Sequence, residues 1–294
     1  MLHYPNINPV ALKFGSIKIY WYGIMYLLGF LASWFLGIKR SKRINGLWEK
    51  DDISDLIFYA MAGVLIGGRI GYIVFYNFPY YISNPFEIFR VWEGGMSFHG
   101  ATIGVVITFI LYAKKKGKNL FQVGDLILPT VPIGLALGRL GNFINGELWG
   151  KASNLPWAMI FPADPSQLPR HPSELYELIL EGIILFIVLW IYSSKERPRM
   201  AVSGMFLALY GIFRFIVEFV RLPDPQLGYI AFGWLTMGQI LSIPMIIIGL
   251  FFIYWGYTRH PLIRGLNKDD IDFLARNKEK ERKNTDKGNK KDRN

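Results

Sequence analysis

Three arginines, Arg69, Arg139 and Arg214, stand in or at the ends of long apolar stretches. An ionisable group in hydrocarbon costs several kcal/mol unless it is paired or hydrated, so each of these positions needs a reason. A guanidinium keeps its charge when desolvated and presents a planar fork of donors that fits phosphate or carboxylate. Comparable positions carry Tyr22, His99, Asn142, Asn145 and Gln239, with the carboxylates Glu147, Glu174, Glu177, Glu181 and Glu218. Such a set could hold a phosphate at the depth of a lipid headgroup. An imidazole that titrates near neutrality could move a proton there, and Glu147 and Glu218 could orient the arginines. The run Gly138-Arg139-Leu140-Gly141-Asn142-Phe143-Ile144-Asn145-Gly146-Glu147 is dense in both classes. Its glycines permit tight turns and close ligand approach, which reads as a binding turn more than a lipid-facing helix. The plainer reading is that these groups pair with one another and hold helices together. Arg214 and Glu218, at i and i+4, could do so on one helix.

The composition says what kind of molecule must position them. Hydrophobic residues make up 52% of the 294 and charged residues only 19%, below the charge content of an ordinary soluble domain. Aromatics reach 16%, as expected where Trp and Tyr gather at lipid headgroups. The absence of cysteine excludes disulfides, thiolate metal sites and an enzyme thiol nucleophile. A net charge of +11 spread over a soluble surface would point to nucleic acid, but here it is concentrated. From Arg259 onward there are 12 Lys/Arg against 7 Asp/Glu, in a tail whose last part, from Asn277, cannot bury a core.

A bilayer core of about 30 Å asks for about 20 apolar residues in a helix. Seven stretches qualify: Ile19–Ile38, Leu56–Tyr76, Gly95–Ala113, Leu120–Leu137, Leu175–Tyr192, Ala201–Phe219 and Leu235–Tyr257. The expected fold is therefore an all-α polytopic membrane protein with about seven transmembrane helices. Residues 1–258 form one transmembrane catalytic domain with outward-facing loops 77–95 and 140–174, and residues 259–294 form a basic, disordered cytoplasmic tail. The loops on one side of the seven spans, counted with the tail, hold 24 Lys/Arg and those on the other hold 6; without the tail the ratio is still 12 to 6. The positive-inside bias then puts the N-terminus outside and the C-terminus in the cytoplasm. The first span is no cleavable signal, because its positive charges follow the apolar run. Gly67/Gly71, Gly100/Gly104 and Gly134/Gly138 have the spacing that lets membrane helices approach closely.

On these spans the polar groups fall toward one face. Tyr22 opens the first span, Arg69 lies roughly 10 Å inside the outward end of the second, and His99 begins the third. Arg139, Asn142, Asn145 and Glu147 follow the fourth. His171, Glu174, Glu177 and Glu181 open the fifth, Arg214 and Glu218 close the sixth, and Gln239 begins the seventh. Only Asp125 sits toward the cytoplasm. A hydrated chamber open to the outer leaflet follows from that one-sidedness, and arginines at that depth point to a phospholipid phosphate.

The segment GRLGNFINGELWG at Gly138–Gly150 resembles the signature of the bacterial prolipoprotein diacylglyceryl transferases. WYGIMYLLGF at Trp21–Phe30, GGRIGY at Gly67–Tyr72, RVWEGGMSFHG at Arg90–Gly100, RHPSELYE at Arg170–Glu177, YGIFRFIVEFVRLPD at Tyr210–Asp224 and MGQILSIPM at Met237–Met245 also resemble that family, in its order. The resemblance runs from about Tyr20 to Tyr257. It departs from the family in the short Pro-rich loop Lys151–Ser173 and the long basic tail.

The resemblance implies transfer of the diacylglyceryl group of phosphatidylglycerol to the lipobox cysteine thiol of an exported preprolipoprotein. A thioether forms and glycerol phosphate is released, in the bacterial cytoplasmic (inner) membrane with the active site toward the outer leaflet. No cofactor, metal or nucleic acid is expected. The expected catalytic set is His99, Arg139, Arg214, Glu147 and Tyr22. The expected phosphatidylglycerol-binding set is Arg139, Asn142, Asn145, Tyr210, Glu218 and Arg69. His99 is the leading base for the thiol proton, with Glu147 and Glu218 as alternatives or as groups that orient the arginines. A transporter or flippase for an anionic lipid also needs intramembrane arginines, but would spread polar groups through both leaflets. A scaffold of buried ion pairs explains neither the one-sidedness nor the Gly-Asn-rich run.

Overall fold

All seven apolar stretches become helices in a computed structural model that describes residues 2–44, 46–91, 94–223 and 228–291. In chain order the elements are β1 (Leu2–His3), β2 (Val10–Phe14), β3 (Ile17–Tyr20), α1 (Trp21–Ser41), α2 (Lys50–Tyr76), α3 (Phe78–Ser83), α4 (Phe98–Lys115), α5 (Leu120–Ile127), α6 (Val131–Asn145), β4 (Met159–Ile160), β5 (Pro169–Arg170), α7 (Ser173–Glu177), α8 (Leu185–Tyr192), α9 (Ala201–Val217), α10 (Met237–Arg259) and α11 (Lys268–Lys291). Five helices among the described residues are long and apolar enough to cross a membrane: Trp21–Ser41, Lys50–Tyr76, Leu120–Asn145, Ser173–Tyr192 and Met237–Arg259. The chain is a polytopic, mostly helical membrane protein. Ala201–Val217 is apolar but shorter, and α4 is an 18-residue helix outside the five. Trp92, Glu93 and Asp224, which belong to two of the quoted motifs, lie outside the described residues.

The helical membrane scaffold carries two small sheets that the all-α expectation did not include. β2 and β3 form an antiparallel pair. β1 pairs in parallel with β4, and β4 in antiparallel with β5.

The chain divides into two compact units: Met1–Leu36 with Ile127–Gly265, and Gly37–Leu126 with Leu266–Asn294. In the first, α6 is entered through a 3-10 turn at Leu128–Thr130. Pro129 has no N–H to give to the helical ladder, and the tighter turn absorbs the missing bond. The consequence corrects the reading of the Gly138–Glu147 run. It is helical through Asn145, and the turn comes only at Gly146, whose φ of +65° is the left-handed conformation of a helix C-cap. α7 runs into α8 through a π-helical segment at Leu178–Ile184, so Ser173–Tyr192 is one continuous helix. α9 and α10 pack through small residues. A Cβ on Gly249 would stand 2.5 Å from the Ala208 nitrogen.

In the second unit, α2 and α4 meet along a glycine seam. A Cβ on Gly67 would come 2.5 Å from the Gly100 carbonyl oxygen, and one on Gly104 would come 2.2 Å from that of Gly63. Two of the expected pairs thus make close backbone contact. Gly134 and Gly138 have open space at the corresponding position.

The tail also departs from expectation, because residues 268–291 are helical. The apolar-poor stretch that argues for disorder begins at Asn277, and the helix is anchored before it. Asn119 Nδ2 donates to Asp269 Oδ2 at 2.6 Å, and Gln122 Nε2 to Asp270 Oδ1 at 2.8 Å. The Lys118 ammonium lies 3.3 Å from the Phe273 ring centroid and 4.6 Å from that of Trp48. Burial pushes Lys118 down to about 8.

Candidate functional site

The densest ionic cluster lies inside the first unit, where α6, the Ser173–Tyr192 helix and the end of α9 come together. Its centre is Glu177, which is almost fully buried. One carboxylate oxygen lies 2.7 Å from Arg139 Nε, and the other accepts a hydrogen bond from Arg214 Nη1. Glu181 comes one helical step later on the same face. Its two oxygens each lie 3.8 Å from a guanidinium nitrogen, one of Arg139 and one of Arg214. Neither makes a hydrogen bond among the described residues. Glu174 is fully buried on that helix, and its side-chain oxygens are likewise without a hydrogen-bond partner among the described residues.

Arg214 is the more heavily engaged of the two arginines. Besides Glu177 it meets Glu218 at 2.5 Å, one turn on, as the i, i+4 spacing predicts. Glu218 is held in turn by the Thr236 hydroxyl at 2.6 Å and by Arg221 Nη1 at 3.3 Å. Thr236 caps α10 in a reciprocal capping box with Gln239, and that fixes the donor. A Cβ on Gly238 would stand 2.5 Å from the Glu218 carboxyl carbon, so only glycine leaves room for this carboxylate. Arg139 has one hydrogen-bond-length approach, through Nε to Glu177, and its side chain keeps 19% of its exposure. The cluster therefore sets three guanidiniums (Arg139, Arg214 and Arg221) against four carboxylates (Glu174, Glu177, Glu181 and Glu218). Tyr210, one turn before Arg214, is stacked on Phe206 with centroids 6.0 Å apart.

The end of α6 forms a second polar knot. Glu147 Oε1 accepts from Asn142 Nδ2 at 2.9 Å and from Asn145 Nδ2 at 3.2 Å. Gly146 makes this possible, because its left-handed φ turns the chain back on the helix end. Leu148, at φ +65°, continues the turn. The buried Asn145 Oδ1 has no hydrogen-bond partner among the described residues. Tyr4 caps the same helix end by donating to the carbonyls of Phe143 and Ile144. Tyr22 packs against Gly141, where a Cβ would come 2.8 Å from its ring, and its hydroxyl lies 3.2 Å from that of Tyr26.

The following loop is fastened by ions and short strands. The Arg170 guanidinium hydrogen-bonded to Asp164 holds that carboxyl at about 2. Burial, helped by the positive charge of Lys151, lowers His171, whose Nδ1 lies 3.1 Å from the Tyr176 hydroxyl.

The structure brings together Arg139, Arg214 and Glu218 in one cluster, and Asn142, Asn145 and Glu147 in the adjoining knot. Glu177 and Glu181, read from the sequence only as polar residues opening a span, prove central. Their i, i+4 spacing at the start of an apolar stretch was the available signal. Arg221, just beyond the sixth apolar stretch, also joins the cluster. His99 and Arg69 belong to the second unit. His99 is exposed on the first turn of α4, its ring edge against Phe98. Arg69 is buried, and its guanidinium donates to five backbone carbonyls.

Comparison with known proteins bears on the same residues. The family model described as prolipoprotein diacylglyceryl transferase matches residues 9–255. A phosphatidylglycerol–prolipoprotein diacylglyceryl transferase of Pseudomonas fluorescens (strain SBW25) is 59% identical over 261 residues, covering 88% of this chain and 97% of that relative. Proteins of the same name from Pseudomonas putida (strain W619) and Ectopseudomonas mendocina (strain ymp) are 57% and 58% identical, each covering 89% of this chain and 98% of the relative. The match spans the arginine–carboxylate cluster, the α6 knot and the α2–α4 seam alike, and on its extent the chain belongs to the prolipoprotein diacylglyceryl transferase family.

Proposed function

We propose that this protein transfers the diacylglyceryl group of phosphatidylglycerol to the lipobox cysteine thiol of a preprolipoprotein. The observation that carries the reading is the Arg139–Glu177–Arg214 bridge, an anion held between two guanidiniums, in a chain that matches this family over nearly its whole apolar length. A carboxylate and a phosphate each offer a guanidinium fork a pair of acceptor oxygens.

In the proposed reaction the substrate's sulfur attacks the glyceryl carbon that bears the phosphate. A C–S bond forms and the C–O bond to phosphate breaks. Its electron pair leaves on the phosphate oxygen as glycerol phosphate, and the thiol proton passes to a base. Arg139 and Arg214 hold the phosphate and stabilise the charge it gains. Glu218 orients Arg214 through its 2.5 Å contact. Glu147 orients the Asn142 and Asn145 amides, and these, with Tyr210 and Tyr22, receive the lipid headgroup. His99 is the proton acceptor, an assignment that rests on its residue type and its match to the family motif.

We further propose seven transmembrane spans, with α4 and α9 added to the five long apolar helices. α9, at 17 residues, covers about 26 Å, and the turn through Glu218 lengthens it. The Lys/Arg bias puts the N-terminus outside and the C-terminus in the cytoplasm of a bacterial inner membrane, with the site toward the outer leaflet.

The test is direct. Purified protein is incubated with phosphatidylglycerol and a lipobox peptide, and the peptide is weighed. A mass gain of one diacylglyceryl group that requires the protein supports the transferase. No gain, or movement of labelled lipid between leaflets without any, overturns it in favour of a flippase.

A further inference from the structure

Arg69 presents a contrast with the arginines of the ionic cluster. A guanidinium has five N–H donors, and all five are accounted for inside the second unit. Nε donates to the Ile88 carbonyl at 2.8 Å. Nη1 donates to those of Gly94 at 2.7 Å and Gly95 at 3.2 Å, and Nη2 to those of Glu87 at 2.5 Å and Arg90 at 3.3 Å. Three of these carbonyls come from the end of the 3-10 helix Pro85–Phe89 and the residue after it, where the negative end of the peptide dipoles favours a cation. The Tyr81 ring covers the guanidinium carbon at 5.1 Å. With its donors spent on backbone and its surface buried, Arg69 has nothing left to offer a phosphate.

What it does hold is the approach to α4. Gly94 and Gly95 have φ of +89° and +76°, left-handed conformations that place their carbonyls within reach of Arg69 and that glycine alone adopts without cost. Two residues later Ser97 caps α4, its hydroxyl accepting from the Gly100 N–H at 3.2 Å. The Ser97 N–H donates to the Gly68 carbonyl at 2.9 Å, and a Cβ on Gly71 would lie 2.6 Å from the Gly100 Cα. Residues 68, 69 and 71, within one turn of α2, thus restrain the chain immediately before and after His99, whose own ring makes no hydrogen bond among the described residues. We infer that Arg69 is a positioning residue, which clamps the Glu87–Gly95 segment onto α2 and thereby aims the first turn of α4 and the His99 it carries, instead of binding the lipid phosphate.

This inference rests on the reading of His99 as proton acceptor, and the experiment separates the two. Arg69→Lys keeps the charge but replaces a five-donor fork by a single ammonium that cannot span the five carbonyls. Kinetics are measured for Arg69→Lys, His99→Gln and the double variant, with thermal melting of each. The expected result is a kcat for Arg69→Lys lower by on the order of 10²-fold, as a misplaced catalytic group produces, with an unchanged KM for phosphatidylglycerol. In the His99→Gln background the same change should have no further effect on kcat. A raised KM with native kcat makes Arg69 a lipid ligand and overturns the inference. So does a lower melting point with native kinetics, which makes it scaffold only, or an equal loss of kcat in both backgrounds, which means it does not act through His99. Near-native turnover of His99→Gln alone removes the base reading and the positioning inference with it. An impaired His99→Gln beside an unimpaired Arg69→Lys removes only the latter. Should Arg69→Lys not fold, Gly95→Ala carries the same predictions, since its Cβ would meet Arg69 Nη1 at 2.9 Å and the Tyr72 ring at 2.7 Å.

Discussion

Arg69 and Arg139 look alike in the sequence, one charge each in an apolar stretch, yet the two units use them in opposite ways. Arg69 is saturated by neutral carbonyls of its own unit, so its charge is spread over a backbone cage and no exchangeable partner remains. Arg139 faces Glu177 and Glu181, anions that another anion can replace, and commits one donor at short range. A carbonyl cage builds structure, whereas a carboxylate pairing can be exchanged for a ligand. The distinction lies in the partner, and it separates an arginine that positions from an arginine poised to bind.

The comparison can be broken or sharpened experimentally. Glu177→Gln should have the largest effect. Removing the buried anion between Arg139 and Arg214 leaves two guanidiniums short of a partner and should cost about 3 kcal/mol of stability, read as a lower melting temperature in detergent. A native melting point would mean that Glu181 and Glu218 already balance the cluster. Arg139→Lys should lower transferase turnover by about 10²–10³-fold with little change in melting; full activity would show that a forked donor is not what the site requires. In the second unit, Gly104→Ala drives a methyl group against the Gly63 carbonyl. It should destabilise the α2–α4 seam by about 1–3 kcal/mol, measured by melting, and an unchanged melting temperature would show that the seam yields. The smallest effect tests a third arginine, Arg170, whose partner Asp164 lies outside the spans. Its carboxyl is held at about 2, below the unfolded value near 4. The pair's contribution is therefore fully present above about pH 4 and is lost as pH falls through about 2. Asp164→Asn should remove that acid-limb dependence and leave neutral-pH melting nearly unchanged. An identical acid limb in the variant would place the dependence elsewhere.

Much of this was legible in the chain itself. The apolar runs announce their helices, because a span must bury its backbone polar groups in helical hydrogen bonds whatever surrounds it. The Gly67/Gly71 and Gly100/Gly104 spacings foretell a close approach, and it occurs. The Arg214–Glu218 pair follows from helical periodicity alone. The turn expected around Arg139 was misplaced because glycine and asparagine density marks a tolerance for turning and not the turn itself. Gly138 and Gly141 stay helical, and only Gly146 takes the left-handed conformation. The tail was misread for a related reason. Its polar end dominates its composition, while three side-chain contacts at its start hold it to the helix ends beside it.

By itself, the sequence determined that this is a polytopic helical membrane protein of the diacylglyceryl transferase family, with arginines and carboxylates set in and beside its apolar stretches. Residue type and periodicity are local properties, and they suffice for that. Only the tertiary structure decided which arginine is spent and which is available. Arg69 finds its carbonyls 18 to 26 positions away, and Arg214 finds Glu177 at a distance of 37. Such partners are chosen by which backbones pack together, and no single stretch of chain contains that information.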